Sequence, residues 1–300
     1  MSSVTRFAIQ GEMQAQVIGE IGPLRAKCGG WEFPLFGNVS SLERVPTDVE
    51  SAVVVVHGAL RNAGDYFWIV EEAACGRRVL VLAPQFLTAV DVRGRAECRE
   101  LLHWETEDWK GGFGEVSSFE VLDALLRRLL DGVRRVTVAG NSAGGQFVNR
   151  YAAVGNVPDE RVRFVVANPS TYLYFDRVRP GVDGLVGAER DQWRYGFGGA
   201  RPEYVSESAE YYFERYLGRD VVYLLGEEDA DPGAALLEVH PAALAQGLTR
   251  FERGVRYYEY LEQKAGGSLE RHRLVRLAGV GHDARDVFTS AQGVEALFGG

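Results

Sequence analysis

Short apolar runs alternate along the chain with segments of helical periodicity. The run Ala52–Val56 is continuous and β-branched, which is typical of a strand buried on both faces of a parallel sheet. Ser117–Leu130 instead places leucine and phenylalanine at helical spacing along one side, and Ser117 or Ser118 is a candidate N-cap. The same patterns predict further strands at Arg77–Leu82, Val136–Ala139, Arg163–Ala167, Val221–Leu225 and Leu274–Ala278. They predict further helices at Gly64–Cys75, Gln146–Ala153, Pro241–Gln263 and Ala284–Phe298.

This alternation predicts a single α/β domain over residues 1–300, with a mostly parallel sheet and helices on both of its faces. The N-terminal part differs, because residues 5–45 predict one or two short antiparallel strands. Glycine turns are expected there at Gly11, Gly22 and Gly29-Gly30.

Segment 170–217 lies between two predicted core strands and is too long for a simple connection. We expect it to form a lid inserted after the sixth strand, above the carboxyl edge of the sheet. Trp193 and Tyr195 are its expected substrate contacts. The alternatives are that most of its aromatic side chains fill a core of its own, or that they form a homodimer contact. Those aromatic residues are Tyr172, Tyr174, Phe175, Trp193, Tyr195, Phe197, Tyr204, Tyr211, Tyr212, Phe213 and Tyr216.

The amino-acid composition mainly argues against certain partners, locations and kinds of site. The chain has 300 residues and a formal net charge of −9 at pH 7, which argues against nucleic acid or an anionic membrane as a partner. Its first residues contain no apolar core of signal-peptide length, and no stretch approaches the roughly 20 apolar residues of a membrane span. Cys28, Cys75 and Cys98 are too dispersed for a metal-type pair or a disulfide framework. We therefore expect a cytoplasmic protein without a metal site.

The most informative chemistry follows the predicted strand Val136–Ala139. There Gly140, Ser142 and Gly144 form the pattern G-x-S-x-G, and a predicted helix follows directly. In this context the pattern is a nucleophile elbow, a sharp turn that exposes a serine hydroxyl above the sheet. The turn strains the serine backbone and leaves almost no room for side chains two residues away, which glycine satisfies. The sequence therefore predicts Ser142 as a nucleophile, and the alternative is a chance Gly-Ser-Gly turn.

A serine hydroxyl needs a base to accept its proton. His282 follows the last predicted strand, in a loop at the carboxyl edge where Ser142 also emerges. His57 ends a strand too, but a histidine followed by glycine is expected to brace its own loop. We therefore predict His282 as the base, since no motif supports the remaining histidines, His103, His240 and His272.

The base in turn needs a carboxylate that fixes its tautomer. The predicted strand Val221–Leu225 ends at Gly226, and four acidic residues follow it. Asp229, three residues past the glycine, is the predicted acid, and Asp231 is the alternative. Glu227 and Glu228 are expected to be solvated or to start a turn.

An oxyanion hole needs two backbone N–H groups aimed at one point. Ala143 follows the nucleophile and supplies one of them. The loop after Ala52–Val56 supplies the other, with Ala59 as the expected donor and Leu60 as the alternative. Leu60 is also an expected substrate contact.

Together these landmarks resemble the α/β-hydrolase family over residues 53–283. His57-Gly58-Ala59 is similar to its oxyanion loop and Gly140–Gly144 to its elbow, while the Asp229 and His282 loops are similar to its acid and base loops. The resemblance implies an eight-stranded, mostly parallel sheet, a Ser-Asp-His triad and no cofactor. The loop here reads His-Gly-Ala-Leu and departs from the triple-glycine type, which argues against esters of bulky tertiary alcohols.

The expected activity is hydrolysis of a small to medium-sized carboxylic ester through an acyl-enzyme, so the expected partner is a small ester or acyl compound. Thioesterase, acyltransferase and amidase reactions use the same residues and remain alternatives. A hydrolase fold reused for ligand binding without catalysis is a further alternative, although no triad member is missing.

Overall fold

The structure, a computed structural model, describes residues 17–157 and 160–299. In chain order its strands are β1 (Leu24–Cys28), β2 (Trp31–Gly37), β3 (Ser51–Val56), β4 (Val79–Pro84), β5 (Leu87–Thr88), β6 (His103–Trp104), β7 (Arg135–Asn141), β8 (Val162–Ala167), β9 (Asp220–Gly226) and β10 (His272–Leu277). Eight strands form the main sheet in the order β1-β2-β4-β3-β7-β8-β9-β10, and β5 pairs separately with β6. From β4 to β10 all neighbours are parallel, whereas β1 and β2 add antiparallel at one side. The expected eight-stranded, mostly parallel sheet is confirmed.

Helices cover the sheet on both faces. In chain order the α-helices of the described residues are α1 (Ala63–Ala74), α2 (Ala89–Val92), α3 (Ser118–Leu130), α4 (Ala143–Val154), α5 (Ala209–Leu217), α6 (Pro241–Leu244), α7 (Arg250–Ala265), α8 (Ala284–Thr289) and α9 (Ala291–Phe298). Ser117 caps α3, and its side chain accepts a hydrogen bond from the N–H of Phe119 at 3.2 Å.

The continuous apolar run of β3 is explained by two separate cores. Side chains of a strand alternate between faces. Val54 therefore joins a core with Phe147 of α4, while its neighbour Val53 joins a core with Val70 of α1 on the other face. A strand buried on both sides has no polar face, as the sequence pattern indicates.

Two helix predictions are wrong, because the structure divides each predicted helix into two shorter ones. The helix expected over Pro241–Gln263 is interrupted between α6 and α7, where Gly247 has φ +144° and Thr249 caps α7 by accepting from the N–H of Glu252 at 3.1 Å. The helix expected over Ala284–Phe298 is divided at Ser290, which caps α9. Capping side chains compete with helix continuation, and the apolar periodicity does not show this competition.

The N-terminal expectation holds where the structure describes the chain. Strands β1 and β2 form an antiparallel hairpin whose turn is Gly29-Gly30, with φ of +56° and +84°. Only glycine adopts such consecutive positive φ values without strain. Gly22 lies against the backbone of Leu35 with no room for a Cβ, and Gly11 is outside the described residues.

Segment 170–217 contributes largely to the core. Tyr172, Tyr174 and Tyr216 are fully buried, and helix α5 within the segment packs against α4. The segment joins the apolar cluster on the α4 face of the sheet. Most of its aromatic side chains therefore have a packing role, and Tyr211 is an exposed exception.

None of the described helices is both long and apolar enough to cross a membrane. The described residues also contain no group of three or more histidine, cysteine, aspartate or glutamate side chains arranged to hold a metal ion.

Candidate active site

Ser142 occupies the turn between β7 and α4 in a strained conformation. Its φ is +60° and its ψ is −120°, a region that costs a non-glycine residue on the order of 1–3 kcal/mol. The neighbouring glycines make this turn possible. A Cβ on Gly140 would lie 2.4 Å from the carbonyl carbon of Gly144, and a Cβ on Gly144 would lie 2.2 Å from the carbonyl oxygen of Val56. The neighbouring strand β8 helps to stabilise this strained conformation, because the N–H of Ser142 donates to the carbonyl of Ala167 at 3.0 Å.

His282 and Asp229 meet directly. The imidazole Nδ1 lies 2.6 Å from Oδ2 of Asp229, in a loop after β10 and a loop after β9 respectively. The carboxylate is buried, whereas the imidazole is one-third exposed. The alternative acid, Asp231, is exposed, and its Oδ1 accepts from the N–H of Gly233 at 2.7 Å. The pairing with the imidazole therefore falls to Asp229.

Arg250 holds the second oxygen of the same carboxylate. Its guanidinium lies 3.2 Å from Oδ1 of Asp229, and it also donates to Ser170 Oγ at 3.1 Å and to the carbonyl of Ala235 at 2.9 Å. Burial alone would raise the pKa of Asp229, but the hydrogen bond with His282 and the charge of Arg250 together hold it below its ordinary value. Asp229 is therefore an ionised carboxylate when the site works near neutral pH.

Two asparagines fix the histidine loop. Asn141 donates from Nδ2 to the carbonyl of His282 at 3.0 Å, and Asn168 donates to the carbonyl of Gly281 at 3.2 Å. Asn168 also accepts from the N–H of Gly226 at 2.9 Å, so it links the acid and base loops. Sequence reasoning missed both roles. The available signal was their position, since each stands at the carboxyl end of a predicted strand.

The loop after β3 is held by two buried groups. His57 lies within it, and its Nδ1 is 2.8 Å from the carbonyl of Gly58 while its Nε2 accepts from the N–H of Phe86 at 2.9 Å. Arg61 makes two hydrogen bonds to Asp91, at 2.6 and 3.0 Å, and a third to the carbonyl of Ala59 at 3.0 Å. The histidine braces the loop, and the buried Arg61–Asp91 pair fixes the backbone at Ala59.

A cavity of about 440 Å³ opens beside the nucleophile. Ser142 and His282 both line it, together with Leu60 and Tyr66. Among the described residues no hydrogen bond joins the Ser142 hydroxyl to the imidazole, and such contacts are often long in a free enzyme. The volume suits a small to medium-sized ligand.

A second, narrow cavity of about 10 Å³ starts at the same serine. Ala59 and Ala143, the predicted oxyanion donors, line it. The rest of its wall is largely polar and comes from Lys110, Gln146, Ser170, Leu236 and Glu238. No sequence pattern associates Lys110 or Glu238 with Ser142, because neither belongs to a motif.

The two aromatic residues expected to contact substrate differ in position. Trp193 is buried, its Nε1 donates to the carbonyl of Gly111 at 2.8 Å, and it lines neither cavity. Tyr195 is buried too, but its hydroxyl donates to Glu238, which lines the narrow cavity. Substrate selection by segment 170–217 remains a prediction. Its first residue, Ser170, lines the narrow cavity, and Tyr195 reaches that cavity through Glu238.

No family model matches the chain, and no curated protein matches it. Solved structures do match. A poly(3-hydroxybutyrate) depolymerase from Bordetella parapertussis superposes with a TM-score of 0.68 at 21% identity, covering 98% of this chain and 94% of that chain. A poly(aspartic acid) hydrolase-1 from Sphingomonas sp. KT-1 gives 0.66 at 22% identity, covering 91% and 98%. A Pyrococcus furiosus esterase gives 0.51 at 18% identity, covering 93% and 91%.

The chain has the α/β-hydrolase fold. Within this α/β-hydrolase fold the three predicted residues follow β7, β9 and β10, and they therefore share the carboxyl edge of the sheet. Their chain order, Ser142, Asp229 and His282, is the order typical of the fold.

Proposed function

We propose that this protein is a serine hydrolase that cleaves carboxylic esters through an acyl-enzyme and needs no cofactor. One observation carries the proposal. A histidine bonded to a buried carboxylate at 2.6 Å shares a cavity with a serine held in an elbow turn. This arrangement supplies a nucleophile, a base and an orienting acid in one place.

In the proposed reaction His282 accepts the proton of Ser142 as the serine oxygen attacks the ester carbonyl carbon. The carbonyl oxygen becomes an oxyanion, for which the N–H groups of Ala143 and Ala59 are the proposed donors. The C–O bond to the leaving group then breaks, and the imidazolium returns its proton to the departing alkoxide. Water, activated by the same imidazole, cleaves the acyl-enzyme and regenerates the serine.

Asp229 has two tasks in this scheme. Its carboxylate accepts a hydrogen bond from Nδ1–H, so that Nε2 is the unprotonated nitrogen that receives the serine proton. It also stabilises the imidazolium that forms. Because its pKa is held below the ordinary value, the carboxylate keeps its negative charge throughout the cycle.

Similar solved structures support ester chemistry as the first choice, since they include a polyester depolymerase and an esterase. The cavity of about 440 Å³ favours a small to medium-sized substrate. Amide hydrolysis is a second candidate, favoured by the similarity to a poly(aspartic acid) hydrolase. We further propose that segment 170–217 influences substrate choice through Tyr195.

The test is covalent labelling with a fluorophosphonate, followed by mass spectrometry of the peptides. We expect one adduct, on the peptide that contains Ser142, because only an activated serine reacts. Ser142→Ala should abolish the adduct and ester hydrolysis together. Ser206→Ala, at an exposed serine outside the site, is the matched control and should change neither. Equal labelling of the Ser142→Ala variant would falsify the assignment of the nucleophile.

A further inference from the structure

The narrow cavity beside Ser142 has polar and charged side chains in its wall. Lys110 is only 6% exposed and Gln146 only 2%, and both line the cavity within reach of the nucleophile's own helix. Glu238 lines it as well and is half-buried. A cavity for an unsubstituted acyl chain would be apolar, so these polar walls need an explanation.

The ammonium of Lys110 is held in place by an ion pair. It pairs with Glu107, whose other oxygen lies 3.2 Å from the guanidinium of Arg194. Burial alone would raise the pKa of Glu107, but Lys110 and Arg194 lower it to about 2, so Glu107 is an ionised carboxylate. Burial lowers the pKa of Lys110, and the charge of Glu107 opposes that shift. An ammonium has three N–H donors, and Glu107 uses one of them. The position of Lys110 is also fixed, because its carbonyl accepts from Arg150 at 2.9 Å.

The carboxylate of Glu238 is likewise oriented. The hydroxyl of Tyr195 donates to one of its oxygens, and Nε2 of Gln146 lies 3.4 Å from the other. Gln146 is itself anchored, since Nε2 also donates to Thr171 Oγ1 at 2.9 Å. The cavity therefore presents a donor from Lys110 and an acceptor from Glu238, both held by neighbours.

The position of the cavity identifies which part of a substrate enters it. The leaving group must lie near His282, which protonates it, and His282 lines the larger cavity but not the narrow one. The narrow cavity starts between Ala59 and Ala143, where the carbonyl oxygen is expected. The acyl side of the ester is therefore the part that faces Lys110 and Glu238.

The size and polarity of the narrow cavity restrict which chemical group of the substrate can enter it. A space of about 10 Å³ accepts a group about as large as one water molecule. A methyl group there would offer no acceptor to the two N–H donors of the buried Lys110 ammonium that Glu107 does not use, which is costly for a buried charged group. A hydroxyl both accepts a hydrogen bond and donates one, so it matches the two walls.

We propose that this cavity is a subsite for a hydroxyl group on the acyl part of the substrate, and that the enzyme prefers esters of short hydroxy acids. This inference rests on the proposed ester hydrolase activity. Lys110 donates to the substrate hydroxyl, and Glu238 accepts from it. The subsite selects because the N–H donors of Lys110 that Glu107 does not use lose their acceptor when the hydroxyl is missing.

The experiment compares ester pairs that differ by one hydroxyl: ethyl acetate with ethyl glycolate, and ethyl butyrate with ethyl 3-hydroxybutyrate. We measure kcat/KM by proton release and express it as the hydroxy-to-unsubstituted ratio. Comparing that ratio between variants cancels the intrinsic reactivity of each ester. Hydrogen bonds to charged groups contribute about 10- to 100-fold, so Lys110→Met should reduce the ratio by about that factor for at least one pair. The pair that responds shows whether the 2- or the 3-hydroxyl is bound.

Glu238→Gln is the second variant. Glutamine has nearly the same shape as glutamate, and Glu238 is only half-buried, so this variant should fold even if Lys110→Met does not. It should also lower the ratio. Lys27→Met is the matched control, since Lys27 is exposed and pairs with Glu32 at 3.8 Å far along the chain from the site. It should leave the ratio unchanged.

The outcomes separate the two proposals. If fluorophosphonate labels Ser142 and the esters are hydrolysed, but both variants keep the native ratio within about twofold, the hydroxyl subsite is wrong and the hydrolase stands. A stronger preference for monoethyl succinate than for either hydroxy ester also overturns the subsite, because a carboxylate is larger than the cavity allows. No labelling and no hydrolysis of any ester overturns both.

Discussion

Two histidines, His57 and His282, stand at the carboxyl edge of the same sheet, each in the loop that follows a strand, yet their surroundings give them opposite properties. His57 is fully buried, and backbone groups of Gly58 and Phe86 occupy both of its ring nitrogens. His282 is one-third exposed and uses one nitrogen for Asp229, while the ring faces the larger cavity.

The difference lies in what each partner can do with a proton. The backbone partners of His57 fix a neutral tautomer, and burial lowers its pKa to about 4, so it has no proton to exchange near neutrality. The carboxylate beside His282 instead accepts from Nδ1–H and leaves Nε2 on the open side of the ring. Similar positions in the fold thus give one structural histidine and one proposed base, and the distinguishing feature is the chemistry of the partner atoms.

The largest expected effect comes from removing the base. His282→Ala should lower kcat by a factor on the order of 10⁴ to 10⁶, as in other triad enzymes. Asp229→Asn should lower it on the order of 10⁴, because an amide favours the wrong imidazole tautomer. Asp231→Asn is the matched control and should stay near the native rate. Steady-state kinetics on a chromogenic ester measures all three, and a greater loss in Asp231→Asn would reverse the assignment of the acid.

Substitution of the other histidine should affect stability first. His57→Leu leaves the carbonyl of Gly58 and the N–H of Phe86 buried without partners, at about 1–3 kcal/mol each. We expect the free energy of unfolding to fall by about 3–5 kcal/mol, measured by urea denaturation. His103→Leu, at an exposed side chain, is the control and should cost well under 1 kcal/mol. If His57→Leu abolishes activity at native stability, the bracing role is wrong.

The smallest expected effect is the pH dependence of stability. The folded pKa of His57 and of His272 is about 4, below the ordinary 6.5, so the unfolded chain binds more protons between those pH values. Stability from each histidine is complete above pH 6.5 and is lost as the pH falls towards 4. At pH 5.5 the loss should be about 1–1.5 kcal/mol for each.

Urea denaturation at pH 5.5 and 7.5 measures this loss. The native protein and His57→Leu should differ in pH response by the contribution of one histidine. Identical slopes in the two proteins would show that His57 is protonated in the fold.

The sequence predicted those features that depend on local pattern. The β-branched run at Ala52–Val56 is typical of a strand buried on both faces, and the spacing of Gly140 and Gly144 around Ser142 is typical of a tight elbow turn. The order of Ser142, Asp229 and His282 after three predicted strands predicts that they share one edge of the sheet.

Features that depend on contacts between distant segments could not be predicted. Arg250 reaches Asp229 across 21 positions, and Asn141 reaches the carbonyl of His282 across 141. Neither residue type nor spacing indicates such partners. The aromatic residues of segment 170–217 show the same limit, since their composition fits a substrate surface and a packed core equally well.

The interruption at Gly247 has a consequence for how this chain tolerates change in length. Surface connections normally accept insertions and deletions with little effect. The five residues from 245 to 249 are different, because they set where α7 begins and hence where Arg250, its first residue, meets the carboxylate of Asp229. One residue more or less would rotate the helix by about 100° relative to that carboxylate. A connection that the sequence pattern does not separate from its helices is therefore a spacer of fixed length.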